Sequence, residues 1–199
     1  PCAPCTAGEI VLSPCMPIES ILCETCSAGS HCPEGSVVES DCREGHFCST
    51  AASETECGPG TFCALRSVLP TGVSVGFHTV DADGQPLVRG AVTQLLCPRG
   101  YFCVEGSIEE CVVSGTYCAE GSSEATPCAG GYVCTTTSSQ VGCSAGSHCP
   151  EGSVVESDCR PGHFCAPPAS ETECGPGTIC ASRSVRPTLR IPSRRAPWL

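Results

Sequence analysis

Apolar residues along this chain rarely fall where a helix or a long strand would need them. No segment outside the cysteine pairs keeps a 3.6-residue apolar spacing for three turns, so almost no helix is predicted. Alternation occurs in one cysteine-free stretch, residues 69–96. There Val73, Val75 and Phe77 alternate, Asp81-Ala82-Asp83-Gly84 supplies a turn, and Leu87 to Leu96 is again rich in Val and Leu, which predicts a β-hairpin. Everywhere else the recurring nonpolar position is a cysteine.

The cysteines follow a grammar. Five residues separate Cys26/Cys32, Cys42/Cys48, Cys57/Cys63, Cys97/Cys103, Cys128/Cys134, Cys143/Cys149, Cys159/Cys165 and Cys174/Cys180, and six separate Cys111/Cys118. Successive pairs lie seven to nine residues apart, except across the 33-residue gap from Cys63 to Cys97. Most pairs hold a glycine three residues after the first cysteine, as at Gly29, Gly45, Gly60 and Gly100, and several hold an aromatic just before the second, as at Phe47, Phe102 and Tyr117. Glycine supplies the positive backbone angle of a tight turn, and the aromatic can cover the neighbouring cystine.

A longer period lies above this one. Residues 26–68 and 143–185 agree at 37 of 43 positions, and none of the differences touches a cysteine. The pattern is that of an internally duplicated tandem array whose units contact mainly their neighbours. The fold class predicted is small disulfide-rich repeats: an elongated array of stapled turns and short β-hairpins with almost no helix. Repeat blocks at 1–68 and 97–182 flank the hairpin insert at 69–96, and a basic Pro/Arg tail occupies 183–199.

Composition explains why staples are needed. Leu, Ile, Val and Phe together number 37 of 199 residues, a range in which a chain buries too little apolar surface to offset its ordering entropy. Cysteine is about 11% of the chain, which marks a disulfide scaffold made in an oxidising compartment. All 22 are disulfide candidates: Cys2, Cys5, Cys15, Cys23 and the nine pairs above. A bond closing a loop of seven residues removes roughly 2.4 kcal/mol of unfolded-state freedom.

Charge is unevenly placed. Residues 1–182 carry all 21 acidic groups and five Arg, whereas 183–199 carry Arg183, Arg186, Arg190, Arg194 and Arg195 with no acid. The acidic body argues against nucleic-acid binding. No apolar run is long enough for a membrane helix, so no membrane span is expected. The opening PCAPCTAG, without Met or signal core, reads as a mature chain or an excerpt of a longer one. The chain has no Asn, so N-linked sugar has no acceptor, and O-linked sugar would use hydroxyls such as Thr135, Thr136, Thr137, Ser138 and Ser139.

At CETCSAGSHC (23–32), CREGHFC (42–48), CGPGTFC (57–63), CPRGYFC (97–103) and CRPGHFC (159–165) the chain resembles the ephrin-receptor-like cysteine-rich repeats, relatives in style of the tumour-necrosis-factor-receptor modules. The resemblance covers about 150 residues and implies an extracellular disulfide module, of the kind found in receptor ectodomains and in surface or filament proteins. Here C-x-x-C appears only at Cys2/Cys5 and Cys23/Cys26, so the family's pairing does not carry over to the other units.

Other chemistry is weak by comparison. Cys2, Cys5, Cys23 and Cys26 have the spacing of a four-thiolate zinc site, but eighteen further cysteines in an oxidising pattern favour disulfides. GVSVG at 72–76 fits a nucleophile elbow at Ser74 with His78 nearby, yet no helix pattern follows Gly76. Asp81 and Asp83 begin like a calcium loop without its closing Glu. His31, His46, His148 and His163 are read as half-exposed fillers. No enzyme, cofactor or metal site is expected. The function expected is an extracellular structural component of a filament, flagellar hair or surface coat, which self-associates or joins other extracellular structural proteins. The competing reading is a ligand-binding or adhesive receptor ectodomain, and a third, thiolate metal storage, would require reduced cysteines.

Overall fold

The computed structural model describes residues 5–13 and 21–190. Among these residues there is no helix, and 22 short strands form eleven two-stranded sheets. Each hairpin leaves one unit just after its glycine, and all but two return immediately before the first cysteine of the next, Thr71–Gly72 preceding Val73 and Thr188–Leu189 preceding Arg190. Ser30–His31 pairs antiparallel with Ser40–Asp41, and His46–Thr50 pairs with Ser53–Glu56. Short and long hairpins alternate along most of the chain. The first copy runs 2-residue, 5-residue and 2-residue leading strands at Ser30–His31, His46–Thr50 and Thr61–Phe62.

Ten disulfides join described cysteines. Cys5 bonds Cys23, and the remaining nine each close one unit: Cys26–Cys32, Cys42–Cys48, Cys57–Cys63, Cys97–Cys103, Cys111–Cys118, Cys128–Cys134, Cys143–Cys149, Cys159–Cys165 and Cys174–Cys180. Cys2 and Cys15 lie outside the described residues. The cystines are the core: Val80, Ala91 and Val133 are the non-cysteine hydrophobic residues that are buried among the described residues. Val37, Val38, Val154 and Val155 stay exposed at hairpin tips, because a two-stranded ribbon has no second layer to cover them.

Cys118 closes the one unit whose cysteine spacing differs from the rest. It lies seven positions from Cys111 where the other units have six, and the pair is bonded all the same. The additional residue is taken up ahead of the glycine. Gly115 follows Cys111 by four residues, has φ of 80° and lies against the carbonyl of Gly152. What stays constant is therefore the step of three residues from glycine to second cysteine, Gly115 to Cys118 as Gly29 to Cys32, because that step holds the turn and the outgoing strand. The Cys118 sulfur also lies 4.0 Å from the Glu124 carbonyl. Bonded to Cys111 it carries no proton, so this is a packing contact and not a hydrogen bond.

Backbone hydrogen bonds bind unit to unit in a fixed pattern. The first cysteine of a unit donates its N–H to the carbonyl of the preceding glycine, as from Cys42 to Gly29, Cys57 to Gly45, Cys143 to Gly131 and Cys159 to Gly146, each at 2.9 Å. The second donates onward to the far side of the next unit, as from Cys48 to Ser67 and Cys165 to Ser184, both at 2.9 Å. Gly29 and Gly146, with φ of 81° and 82°, lie directly against the carbonyls of Arg66 and Arg183. A Cβ at either would collide with that carbonyl, so the glycine serves both the turn and the close approach.

The described residues divide into two units of contact. One falls within Pro1–Pro98, Phe102–Glu109 and Glu120–Ser123, and the other within Arg99–Tyr101, Glu110–Ala119 and Glu124–Leu199. The first holds one copy of the duplicated segment and the second holds the other. Within each, the same ion pairs recur: Arg43–Glu54 at 2.7 Å and Arg66–Asp41 at 3.0 Å in the first, Arg160–Glu171 at 2.8 Å and Arg183–Asp158 at 2.6 Å in the second. The copies differ where their sequences do. The hairpin beginning at His46 has a five-residue leading strand, but its counterpart is His163–Phe164 alone. Pro167 and Pro168 stand where the first copy has Thr50 and Ala51, and proline has no N–H for a longer ladder.

Two stretches sit differently from the sequence reading. The strand of the cysteine-free stretch starts at Phe77, not Val73, and its partner is Thr93–Leu96 in the register Phe77 to Leu96. Of the basic segment, residues 183–190 fold with the last unit: Thr188–Leu189 pairs with Thr178–Ile179, and Arg190 N–H donates to Gly177.

Candidate functional site

Residues 73–79 read Val-Ser-Val-Gly-Phe-His-Thr, and they occupy the place of a unit between Cys57–Cys63 and Cys97–Cys103. Their bonding is the unit's own. Val73 N–H donates to Gly60 at 2.9 Å as a first cysteine does, Thr79 N–H donates to Gly106 at 2.9 Å as a second cysteine does, and Cys97 N–H returns to Gly76 at 2.9 Å. Gly76 has φ of 77° and lies against the carbonyl of Gly121, as Gly29 lies against Arg66. A side-chain clamp agrees as well. In several units a Glu or Gln three residues before the next cysteine accepts the N–H that follows the previous one: Glu39 from Ser27, Gln140 from Ala129, Glu156 from Ser144 and Glu171 from Arg160. Gln94 accepts from Ser74 in the same way at 2.7 Å. This is therefore a repeat unit in which Val73 and Thr79 stand where a disulfide would be.

Its surroundings also depart from the array. The hairpin Phe77–Val80 with Thr93–Leu96 is long, and the next, Tyr101–Val104 with Ser107–Glu110, is long too, so the alternation skips a beat. In other long-hairpin units the glycine N–H donates to the second cysteine of the following unit, as from Gly8 to Cys32, Gly45 to Cys63, Gly100 to Cys118 and Gly131 to Cys149. Among the described residues Gly76 makes no such bond to Cys103. Beside residues 72–75 lies an open cleft of about 570 Å³, lined mainly by apolar atoms of Pro59, Val73, Val75, Cys103 and Val104, with Ser74, Glu105 and Ser123 as polar groups. Val75 is 85% exposed and Val104 44%.

His78 stands where Phe47, Phe102 and Phe164 stand in their units, because Phe and His exchange places at 77–78. It is buried, its Nδ1 has no partner among the described residues, and burial holds its pKa below the ordinary imidazole value. Ser74, the residue of the elbow-like motif, accepts a hydrogen bond on Oγ from Gln94 at 3.1 Å. A strand rather than a helix follows Gly76.

The remaining candidates are dispersed. Three members of the zinc-like spacing are in disulfides, Cys5 with Cys23 and Cys26 with Cys32. The Asp81 carboxylate accepts from the N–H groups of Asp83 at 3.0 Å and Gln85 at 2.8 Å, the ordinary work of an Asx turn. Cys159 and Cys165 lie near Glu171, but the two sulfurs are bonded to each other. His31 faces Glu54 at 3.6 Å, and His46 lies 3.2 Å from Arg43. His148 and His163 are half-buried. Thr135, Thr136 and Thr137 line a second cleft of about 350 Å³ with Val112, Val113 and Val154, and Ser138 and Ser139 continue the same tip.

The sequence reading took Val73 and Val75 for an alternating strand and passed over Val104 and Glu105, because it tracked cysteines. The signal was present in Gly76, three residues after Val73, and in Gln94, three before Cys97. No protein-family profile matches the chain, and no curated protein matches it. It is a cysteine-rich repeat protein whose many disulfides favour a secreted or extracellular location.

Proposed function

We propose that this protein is an extracellular structural component, a building block of a filament, flagellar hair or surface coat, and that it acts without catalysis. The observation that carries the reading is the uniformity of the unit-to-unit bonding, which uses backbone groups and local cystines and so places little demand on side chains. Such a surface is free to be acidic, hydroxyl-bearing and repetitive. The hydroxyl-rich tip at Thr135–Ser139 suits O-linked sugar, and the ephrin-receptor-like repeat style fits an extracellular setting. Electron microscopy of the full chain across salt and protein concentration tests the reading. Polymers or ordered arrays, alone or with an extracellular partner, are expected, and dispersed monomers under every condition would overturn it.

The competing reading, a ligand-binding or adhesive ectodomain, is favoured by the cleft at the cysteine-free unit. A repeat array used only as a spacer has no need of an open apolar notch at one position.

A further inference from the structure

The cleft beside residues 73–75 has a chemistry that narrows its occupant. Its walls are apolar, with Val75 and Val104 presented to solvent, and Glu105 stands among its lining residues. Gly60 and Gly72, which carry no side chain, add bare backbone to its lining. An extended peptide bearing one large apolar side chain and nearby cations meets all three features. The sequence contains such a segment. Residues 191–199 read IPSRRAPWL, with the only Trp of the chain at 198, Arg194 and Arg195 before it, and no acid. Pro192 and Pro197 bias their preceding residues toward extended backbone, which lowers the ordering cost of binding. The partner surface is opposite in sign, since all 21 acidic groups lie within 1–182.

We infer that residues 191–199 of one copy dock in the 73–75/103–105 cleft of a second copy, with Trp198 against Val75 and Val104 and Arg194 or Arg195 toward Glu105. This rests on the self-associating reading above and names the contact that would carry it. The contact joins different surfaces of identical chains, so it propagates unless its rotation closes a ring.

The single tryptophan makes the test direct. Fluorescence of the full chain is followed over a dilution series from nanomolar to tens of micromolar. Trp198 emission is expected to shift to shorter wavelength as concentration rises. Val75→Glu and Val104→Glu, both at exposed positions and therefore compatible with folding, each move the midpoint to about tenfold higher concentration or more, because an apolar contact of this size is lost. Glu105→Arg weakens the shift, and added salt weakens it further. Emission that never shifts, or a shift untouched by all three substitutions, overturns the inference. A blue-shifted emission independent of concentration assigns Trp198 to its own chain and overturns the second-copy contact. Polymers that survive the three substitutions unchanged would sink this contact and leave the structural reading standing, whereas a concentration-dependent shift without polymers would do the reverse.

Discussion

At the scale of single residues, the position three after the second cysteine separates the units that hold glycine from those that strain. Gly35, Gly121 and Gly152 hold it with φ of 80°, 78° and 77°, whereas Arg66 and Arg183 hold it at 63° and 64°. A left-handed conformation costs a non-glycine residue roughly 1–2 kcal/mol. The exposed ion pair from Arg66 to Asp41 returns about 0.2–1 kcal/mol at most. Arg66→Gly is therefore expected to be at least as stable as the natural chain, and more stable than Arg66→Ala by about 1 kcal/mol, read by denaturant unfolding under oxidising conditions. His78 supplies a second prediction. Its folded pKa lies below its unfolded value of about 6.5, so as pH falls the unfolded chain takes up the proton first. The stability tied to a neutral His78 is complete above that pH and is lost below it. Amide hydrogen exchange at Phe77–Val80, corrected for intrinsic rate, should show protection falling between pH 7 and pH 5, and His78→Phe, which installs the residue of the neighbouring units, should abolish the trend.

At the scale of the element, the unit at 73–79 shows that backbone bonding and cystine closure are separable. If Val73 and Thr79 truly hold the two cysteine places, Val73→Cys with Thr79→Cys should close an additional disulfide without rearrangement, because the described cystines inside units span Cα distances of 5.8–6.6 Å, a normal range. Non-reducing peptide mapping should find the two joined, and the unit should gain at most roughly 2.4 kcal/mol against unfolding, less the cost of losing the buried Thr79 hydroxyl's hydrogen bond to the Leu87 carbonyl at 2.6 Å. A free thiol at both positions would show that the backbone does not bring them together. The same unit marks how far the sequence could be read. Cysteine spacing and the inner glycine were enough for the hairpins, since both act through short-range geometry, and the unit of Cys111 and Cys118 tolerates an extra residue because its glycine keeps its distance from the second cysteine. The cleft was illegible because it sets residues 72–75 beside 103–105, an approach that no cysteine spacing reports, and strand length likewise depends on residues such as Pro167 and Pro168. Val73 and Val75 read as an alternating strand for the same reason: a two-residue apolar period also fits a stapled turn that has lost its staples.

At the scale of the whole molecule, acid response should come in two stages. Glu156 and Glu171 both titrate below the ordinary carboxylate value, chiefly because they accept backbone hydrogen bonds from Ser144 and Arg160. A depressed carboxylate contributes above its unfolded pKa, about 4.3, and its contribution is lost as pH falls through the folded one. Both groups belong to the second contact unit, and His78 belongs to the first. Hydrogen exchange should therefore loosen around Phe77–Val80 at mildly acid pH while the Ser144 and Arg160 amides keep their protection until pH falls below about 4.3. Simultaneous loss at both places would contradict this assignment.

Nine of the ten described disulfides join cysteines only six or seven positions apart, and the tenth spans 18. That spacing governs how such a chain is made. Ribosomes add about 5–20 residues each second, so a new unit enters an oxidising compartment every second or few, with both its thiols already near each other. None of these nine units has to wait for a distant cysteine, and each closed unit offers its glycine carbonyl to the next as it arrives. Oxidation then runs as a zipper in the direction of synthesis. Nascent chains trapped by alkylation should carry a continuous block of closed cystines at the N-terminal side, and a missing cysteine should spoil its own unit while leaving those already exported intact.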